Sequence, residues 1–288
     1  MSSPFDPIEI LPDVVRVLVP NASMMTGSGT NSYLVGTESL VAIDPGPDDA
    51  EHVGKLAGLS AGRLEYILVT HHHPDHAPGA ARLAAMTGAP ILSYGAVSPP
   101  PFPTIVPDRA LADGDVVAVA GLTLTALHTP GHTSDHLSFM ANFDVGRGAP
   151  RVLFSGDTVI GGSTVVVAPP DGDMVAYMSS LERLLHLSPS ADVIAPGHGK
   201  LIEDPAEAIS DYLARRRARE LSVLAALASG PASATDLVAL IYPDLARGLD
   251  GVATRTVWAH LRKLGSERRA HSPAPDDIHA QWSTDTPG

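Results

Sequence analysis

Four side chains of the types that bind metal ions, His71, His73, Asp75 and His76, fall within six positions of the segment Thr70-His71-His72-His73-Pro74-Asp75-His76. Imidazole nitrogens with carboxylate oxygens suit Zn²⁺ well, and also Mn²⁺ or Fe. His71 and His73, two positions apart, can reach one ion, while Asp75 and His76 can turn towards a second. Two close cations activate a water, polarise a scissile group and stabilise the charge that develops, so the chemistry to look for is hydrolysis. Three later sites supply further donors: His132 in His128-Thr129-Pro130-Gly131-His132-Thr133, Asp157 in Ser155-Gly156-Asp157-Thr158, and His198 in Ala195-Pro196-Gly197-His198-Gly199. A single histidine in such a turn is more often structural. Four donor sites, three of them beside a glycine that lets the backbone turn sharply, form a set.

Every one of these sites follows a short apolar run that reads as a strand. Tyr66–Val69 precedes the first, Leu122–Leu127 the second, Val152–Phe154 the third and Val193–Ala195 the fourth. Other strands are expected at 14–19, 31–35, 40–43, 90–93, 116–119 and 137–140, and helices at 48–60, 77–86 and 173–187. Pro99–Pro103 reads as an extended loop, and Gly146-Arg147-Gly148 as a second loop. Strands in two clusters with helices between them predict two packed sheets with outer helices, an α/β fold. A long helix from Pro205 to about Leu227 follows, stopped by Ser229-Gly230-Pro231. Short helices over 233–241 and 252–264, with 268–270 and 279–283 pairing as a ribbon, predict a winged helix-turn-helix. The expected division is 1–210 for the catalytic domain and 211–288 for the small domain.

Composition narrows the chemistry. The chain of 288 residues contains no cysteine, which removes disulfides, thiolate ligands and a cysteine nucleophile. Its net charge of −13 divides into −14 over residues 1–210, +4 over 211–271 and −3 over the tail. A domain this acidic repels polyanions unless positive charge is focused locally, so 211–271 is the candidate basic patch. No apolar run approaches the roughly 20 residues that span a bilayer. Met1-Ser2-Ser3-Pro4-Phe5-Asp6 lacks a basic patch followed by an apolar stretch, so a cytoplasmic location is expected.

On His71-x-His73-x-Asp75-His76 together with His132, Asp157 and His198, the chain resembles the metallo-β-lactamase superfamily of hydrolases. The resemblance implies an αββα sandwich. It also implies that His71, His73 and His132 hold one divalent metal, that Asp75, His76 and His198 hold the other, and that Asp157 bridges them. Within the superfamily the chain is similar to the lactamase-beta-2-like proteins, on residues 156–164, on the 177–185 helix, on 196–205, and onward through Arg215 to Leu227 into the winged-helix-like domain. The bridging Asp157 and the absence of cysteine set it apart from antibiotic β-lactamases.

The expected reaction uses a hydroxide held between the metals as nucleophile, with Asp75 as the catalytic residue that orients it and carries its proton towards the leaving group. Asp44 is read either as a partner of a ligand histidine or as a turn aspartate before Pro45-Gly46. His72 is expected to point away. His128, His136, Thr133 and Thr158 read as supporting residues, and Tyr177 as core. Three functions are weighed: hydrolysis of a small ester, thioester or lactone; endoribonuclease cleavage of single-stranded RNA, with the basic segment gripping phosphates; and a regulatory nucleic-acid-binding module whose metal site is structural. The acidic catalytic domain favours a small-molecule acyl substrate. The arginines of 215–219, with Arg255, Arg262 and Lys263, are expected to border the groove.

Overall fold

The computed structural model describes residues 5–95, 105–143, 150–162 and 164–284; the Pro99–Pro103 and Gly146–Gly148 loops lie outside the described residues. Its elements are β1 (Ile8–Leu11), β2 (Val14–Leu18), β3 (Asn31–Gly36), β4 (Leu40–Ile43), α1 (Ala50–Ser60), β5 (Leu64–Leu68), α2 (Gly79–Thr87), β6 (Ile91–Tyr94), β7 (Arg109–Leu111), β8 (Val116–Val119), β9 (Leu122–His128), β10 (Leu137–Phe143), β11 (Val152–Gly156), α3 (Met174–Leu187), β12 (Val193–Pro196), α4 (Pro205–Leu227), α5 (Ala234–Ile241) and α6 (Asp250–Ser266).

Alternation along these strands builds two sheets that share a core. The first runs in the order β1-β2-β3-β4-β5-β6-β7 and the second β12-β11-β10-β9-β8. Between them lie Val14, Val35, Ile43 and Leu68 from one sheet and Leu124, Phe139 and Phe154 from the other, all buried. The outer face of the first sheet packs on α1 and α2 through Val53, Leu56, Ala80 and Leu83. The outer face of the second packs on α3 and α4 through Tyr177, Leu181, Leu184, Ile209 and Leu213. The layers are therefore α, β, β, α. Within the second sheet β10 is antiparallel to both β9 and β11, and β11 is parallel to β12, so the C-terminal ends of β9, β11 and β12 share one edge. The parallel β4 and β5 end together as well. The two edges are tied by Leu137 N donating to Thr70 O at 2.7 Å and Asn31 N to Gly197 O at 2.8 Å.

Local chemistry sets the helix starts. Asp49, Asp173 and Asp204 each accept a hydrogen bond from the third residue on, and Pro205 takes the first helical position, where its missing N–H is not needed. Ser233 and Asp236 form a reciprocal capping box at α5. α4 is continuous through residue 210: its first half belongs to the core of the second sheet, while Val223 and Leu227 pack with Leu237, Val257, Leu261 and Trp282 in a separate core. The division at 210 falls inside this helix, and we propose that α4 is the element both units share.

The differences from expectation lie at edges. β1 and β7 were not anticipated, being short, partly exposed edge strands without a clear apolar alternation. The expected ribbon of the winged helix is reduced to single bridges, His271 to Ser283 and Ala232 to Trp282, because buried Trp282 pins the returning chain by side-chain packing. Among the described residues no helix is long and apolar enough to cross a membrane.

Candidate metal centre

All seven side chains singled out by spacing converge on the shared sheet edge. After β5 the chain turns through His71, His73, Asp75 and His76. His132 follows β9, Asp157 follows β11 and His198 follows β12. His71 Nε2 is 3.0 Å from His73 Nδ1, which is 2.9 Å from His132 Nε2. His198 Nε2 lies 3.2 Å from both His76 Nε2 and Asp75 Oδ2. The Asp157 carboxylate sits between the two trios, Oδ1 at 3.5 Å from His76 Nε2 and Oδ2 at 3.6 Å from His132 Nε2 and 3.4 Å from His198 Nε2.

The rings are aimed from behind. His76 Nδ1 donates to Asp44 Oδ2 at 2.9 Å, His132 Nδ1 to Val166 O at 2.7 Å and His198 Nδ1 to Gly29 O at 3.2 Å; each turns Nε2 inward. His71 Nδ1 meets Thr70 Oγ1 at 3.0 Å, whose hydroxyl donates to Asp44 Oδ2 at 2.8 Å. Asp44 also accepts from Thr70 N and is buried with φ at 50°, a left-handed conformation uncommon for a non-glycine residue. Of its two readings, the structure supports the partner of a ligand-type histidine. Two glycines are required here. A Cβ on Gly131 would stand 2.3 Å from the Tyr177 backbone, and one on Gly197 2.5 Å from Asp157 Oδ1.

Electrostatics divide the cluster in two. Burial lowers His71 well below the ordinary imidazole range, helped by His76 and His73; burial and the neighbouring His132 bring His73 to about 2; His132 falls by burial although Asp157 opposes it. These rings are neutral, lone pairs available. Burial would also lower His76 and His198. Asp75, Asp157 and Asp44 overcome it at His76, raising it well above 6.5, and Asp157 with Asp75 holds His198 at about 9. Both Asp75 and Asp157 lie well below the usual carboxylate range: burial acts against this, but His76 and His198 outweigh it. A carboxylate-rich pocket is drawing positive charge.

The residues fit divalent cations. The donor atoms of His71, His73 and His132, of His71, His76 and Asp157, and of Asp75, His76 and His198 form three groups, each with its atoms within 4.8 Å of one another. Asp157 Oδ1 is buried with no hydrogen-bond partner among the described residues. Tetrahedral donors about 2.1 Å from an ion sit roughly 3.4 Å apart, and neighbouring donor atoms here lie between 2.9 and 3.6 Å apart.

The supporting residues fall as expected or better. His72 turns away, its Nδ1 2.9 Å from Asp135 Oδ1. His136 accepts the Asp157 amide at Nε2 (3.0 Å), bonds Thr129 at Nδ1 and stacks on His71, so it fixes both a loop and a ring. His128 stacks on Tyr94, away from the cluster. Tyr177 is buried and donates to Thr158 O. The wall opposite the cluster was anticipated in part. His73, Asp75, His132, Asp157 and His198 line a pocket of about 450 Å³ with Met25, Ile160, Val165, Asp171 and Arg255; Arg255, from α6, borders the groove as expected, whereas Met25, Val165 and Asp171 arrive from loops and carry no motif.

Known proteins place this arrangement. The metallo-beta-lactamase superfamily profile matches residues 25–198, and that of the beta-lactamase associated winged helix domain matches residues 233–282. A beta-lactamase-like protein 2 homolog of Drosophila melanogaster is 33% identical over 270 residues, covering 88% of each chain. An atrochrysone carboxyl ACP thioesterase of Aspergillus fumigatus is 33% identical over 255 residues, covering 81% of this chain and 75% of that one. The crystal structure of a metallo-beta-lactamase family protein from Thermus thermophilus superposes with a TM-score of 0.76 at 22% identity, over 96% of this chain and all of that one, which speaks to the fold. The chain belongs to the metallo-beta-lactamase superfamily and is a metal-dependent hydrolase with a C-terminal winged-helix domain.

Proposed function

We propose that this protein hydrolyses a small acyl substrate, a thioester in preference to other esters and lactones, at a dinuclear site. His71, His73 and His132 would hold one cation, Asp75, His76 and His198 the other, with Asp157 shared between them. Zinc is the favoured metal, given imidazole and carboxylate donors at close spacing. The observation that carries the reading is the pocket: the cluster forms one wall of a cavity of small-molecule size, and Ile160, Val165, Val166 and Ala168 make the facing part apolar. The thioesterase among the relatives supports the acyl class.

When bound, the two cations lower the pKa of an attacking water and polarise the acyl carbonyl. Asp75 is ionised at neutral pH and borders the pocket, so the carboxylate oxygen not given to a cation would accept a hydrogen bond from the attacking water, set its direction and take its proton. The Thr30 hydroxyl, 3.4 Å from Asp75 Oδ2, and His198, 3.2 Å away, hold the carboxylate in place. The carbon–oxygen bond forms, the carbon–sulfur bond breaks, and the proton passes from Asp75 to the departing thiolate. The apolar wall keeps bulk water from the acyl group.

Charge pairing weighs against the RNA reading. Lys263 lies between Glu220 and Glu267, Arg269 reaches the same two carboxylates, Arg217 pairs with Glu182 and Arg262 with Asp276. These four charges are consumed and form no track for phosphates, which leaves Arg255 at the metal-side pocket and Arg215, Arg216 and Arg219 in the adjoining seam as the positive charge near the site. The test is release of thiol from an acyl N-acetylcysteamine thioester by zinc-loaded protein, beside Asp75→Asn and a labelled single-stranded RNA. Thiol release that falls at least about 100-fold in Asp75→Asn supports the reading. RNA cleavage without thiol release overturns it.

A further inference from the structure

Beside the metal-side pocket lies a second cavity, of about 580 Å³, in the seam between α4 and the winged-helix unit. Much of its lining is apolar, including Leu245, Leu249, Val252 and Ala253. Its charged lining consists of three arginines from one helix, Arg215, Arg216 and Arg219, without a carboxylate among the lining residues. An apolar cavity whose charges are all of one sign is matched to an apolar ligand of the opposite sign.

The three guanidinium groups are differently placed. Arg215 is exposed and shares its charge with Asp211 at 3.5 Å, a pair of little strength in water. Arg219 lies with its guanidinium carbon 3.9 Å from the Tyr242 ring centroid, a stack that leaves its in-plane N–H groups free to donate. Arg216 is the informative one. It is buried, donates to the carbonyl of Val165, lies over the Tyr177 ring at 5.2 Å, and has no carboxylate partner among the described residues. A buried cation without a counter-charge is costly, and such a group in a cavity wall marks a site that an anion completes. The same field reaches His260, buried on the neighbouring face of α6. Burial, then Arg216, Lys263 and Arg219, bring its ring to about 3.

This cavity adjoins the metal-side pocket. Met25, Thr164, Val165 and Val166 line both. A chain whose carbonyl sits at the histidine–aspartate cluster can pass over Met25 and Val165 into the arginine seam. We propose that the seam is a distal subsite: it takes an anionic group, carboxylate or phosphate, at the far end of an apolar substrate chain, while the scissile bond sits at the metal cluster. The proposal rests on the thioester reading for the reacting end only. The anion has two possible origins, the acyl end of the substrate or its leaving thiol.

Three decanoyl-length thioesters separate them on the full-length, zinc-loaded chain. One is neutral, decanoyl N-acetylcysteamine. The second carries a carboxylate at the far end of the acyl chain. The third has a neutral acyl chain on phosphopantetheine, so that its anion is on the leaving group. We expect one charged substrate to show a KM about tenfold below the neutral one, as a charge-assisted contact gives. Arg219→Gln, and Ser222→Trp, which fills the cavity from an exposed helix position, should bring that ratio close to unity. Preference for the second substrate assigns the anion to the acyl end, and preference for the third to the leaving thiol. Equal KM for all three, unmoved by either variant, overturns the proposal while leaving the hydrolase intact. Binding is read separately from the fluorescence of 1-anilinonaphthalene-8-sulfonate, an apolar aromatic anion. Binding weakened about tenfold in both variants, with no thioester turnover by the parent protein, keeps the subsite and removes the thioester reading. Binding unchanged in both variants counts against the subsite.

Discussion

The sheet edge and the arginine seam both hold buried charge, but they reach that condition in different ways. At the edge each functional group has its own support within a few residues of a strand end: Asp44 behind His76, Thr70 behind His71, Val166 O behind His132. Its opposite charges are close together, and the remaining valence suits a cation. In the seam the charges come from one face of α4, and their surroundings come from α6 and from loops distant in sequence. Its buried guanidinium is answered by a carbonyl and an aromatic ring. A pre-aimed cluster does chemistry, whereas an under-compensated cavity selects what is brought to it. The two regions should therefore fail differently when perturbed.

The largest effect belongs to the edge. Gly197→Ala places a Cβ 2.5 Å from Asp157 Oδ1 and 2.8 Å from His76 Cε1, so both side chains must move. Losing the alignment of such a site removes several kcal/mol of transition-state stabilisation, so kcat/KM should fall by about 10³. Metal content should fall in parallel, measured by atomic emission on the purified protein. A variant that keeps full metal occupancy and turnover would show that the edge is not rigid and would erase its contrast with the seam.

Acid should act on the winged-helix unit through His260. His260 has both ring nitrogens without a hydrogen-bond partner among the described residues and is held near 3. Below the unfolded pKa of about 6.5 the unfolded chain takes up a proton that the folded one refuses. Its contribution to stability is therefore lost as pH falls from about 6.5 towards 3, at roughly 1.4 kcal/mol per unit, or about 3 kcal/mol at pH 4. Urea unfolding of the winged-helix unit, followed by tryptophan fluorescence (Trp258 and Trp282 both lie in its core), reads this directly. His260→Met should flatten the slope between pH 6 and pH 4. An unchanged slope would mean that the ring is not the group responsible.

How much of this was legible in the sequence follows from where the information resides. His71, His73, Asp75 and His76 could be read because one loop carries them, and His132, Asp157 and His198 because each stands just past an apolar run and next to glycine. Asp44 was half legible: its turn was evident, but its two roles separate only when Thr70 and His76 are seen around it. The supporting role of His136 was legible but its partner was not, since the amide it receives belongs to Asp157, 21 residues away. Edge strands β1 and β7 escaped because half-exposed pairs of three or four residues leave no periodicity to detect. The arginines of α4 were visible as a basic run, but nothing local says that Arg216 turns inward while Arg217 turns out to Glu182. Cavities are tertiary objects, and their charge balance is a property of several elements at once.

A smaller effect tests the support behind the edge. Asp44→Asn keeps an oxygen to accept from Thr70 N, but it turns an amide NH₂ towards the Thr70 hydroxyl and the His76 Nδ1–H, which are both donors. Loss of such a partner weakens metal affinity by about 10- to 100-fold, and competition with a chromophoric chelator measures it. The effect should fall mainly on the ion held by Asp75, His76 and His198. Equal loss of both ions would mean that Thr70 passes the disturbance on to His71.

The smallest effect asks whether the winged-helix unit can be disturbed without the edge noticing. Gly265 lies under Trp282, and an added Cβ would stand 2.9 Å from its Cζ3 atom and 3.3 Å from Cη2. The contact is with the far end of a buried ring packed among α5 and α6, so the ring must shift and the small core loosen. Overpacking of this kind costs about 1–3 kcal/mol. Gly265→Ala should therefore lower the midpoint of the tryptophan-monitored transition while metal content and turnover of the neutral thioester stay within about twofold of the parent. Selectivity for the charged thioester is the discriminating reading. α6 supplies Val252 and Ala253 to the seam, so a shift of that helix should erode the preference before it touches the reaction itself. If turnover and metal content fall together with the transition midpoint, the two units share one fate through α4, and the seam is then part of the machinery that holds the edge in shape.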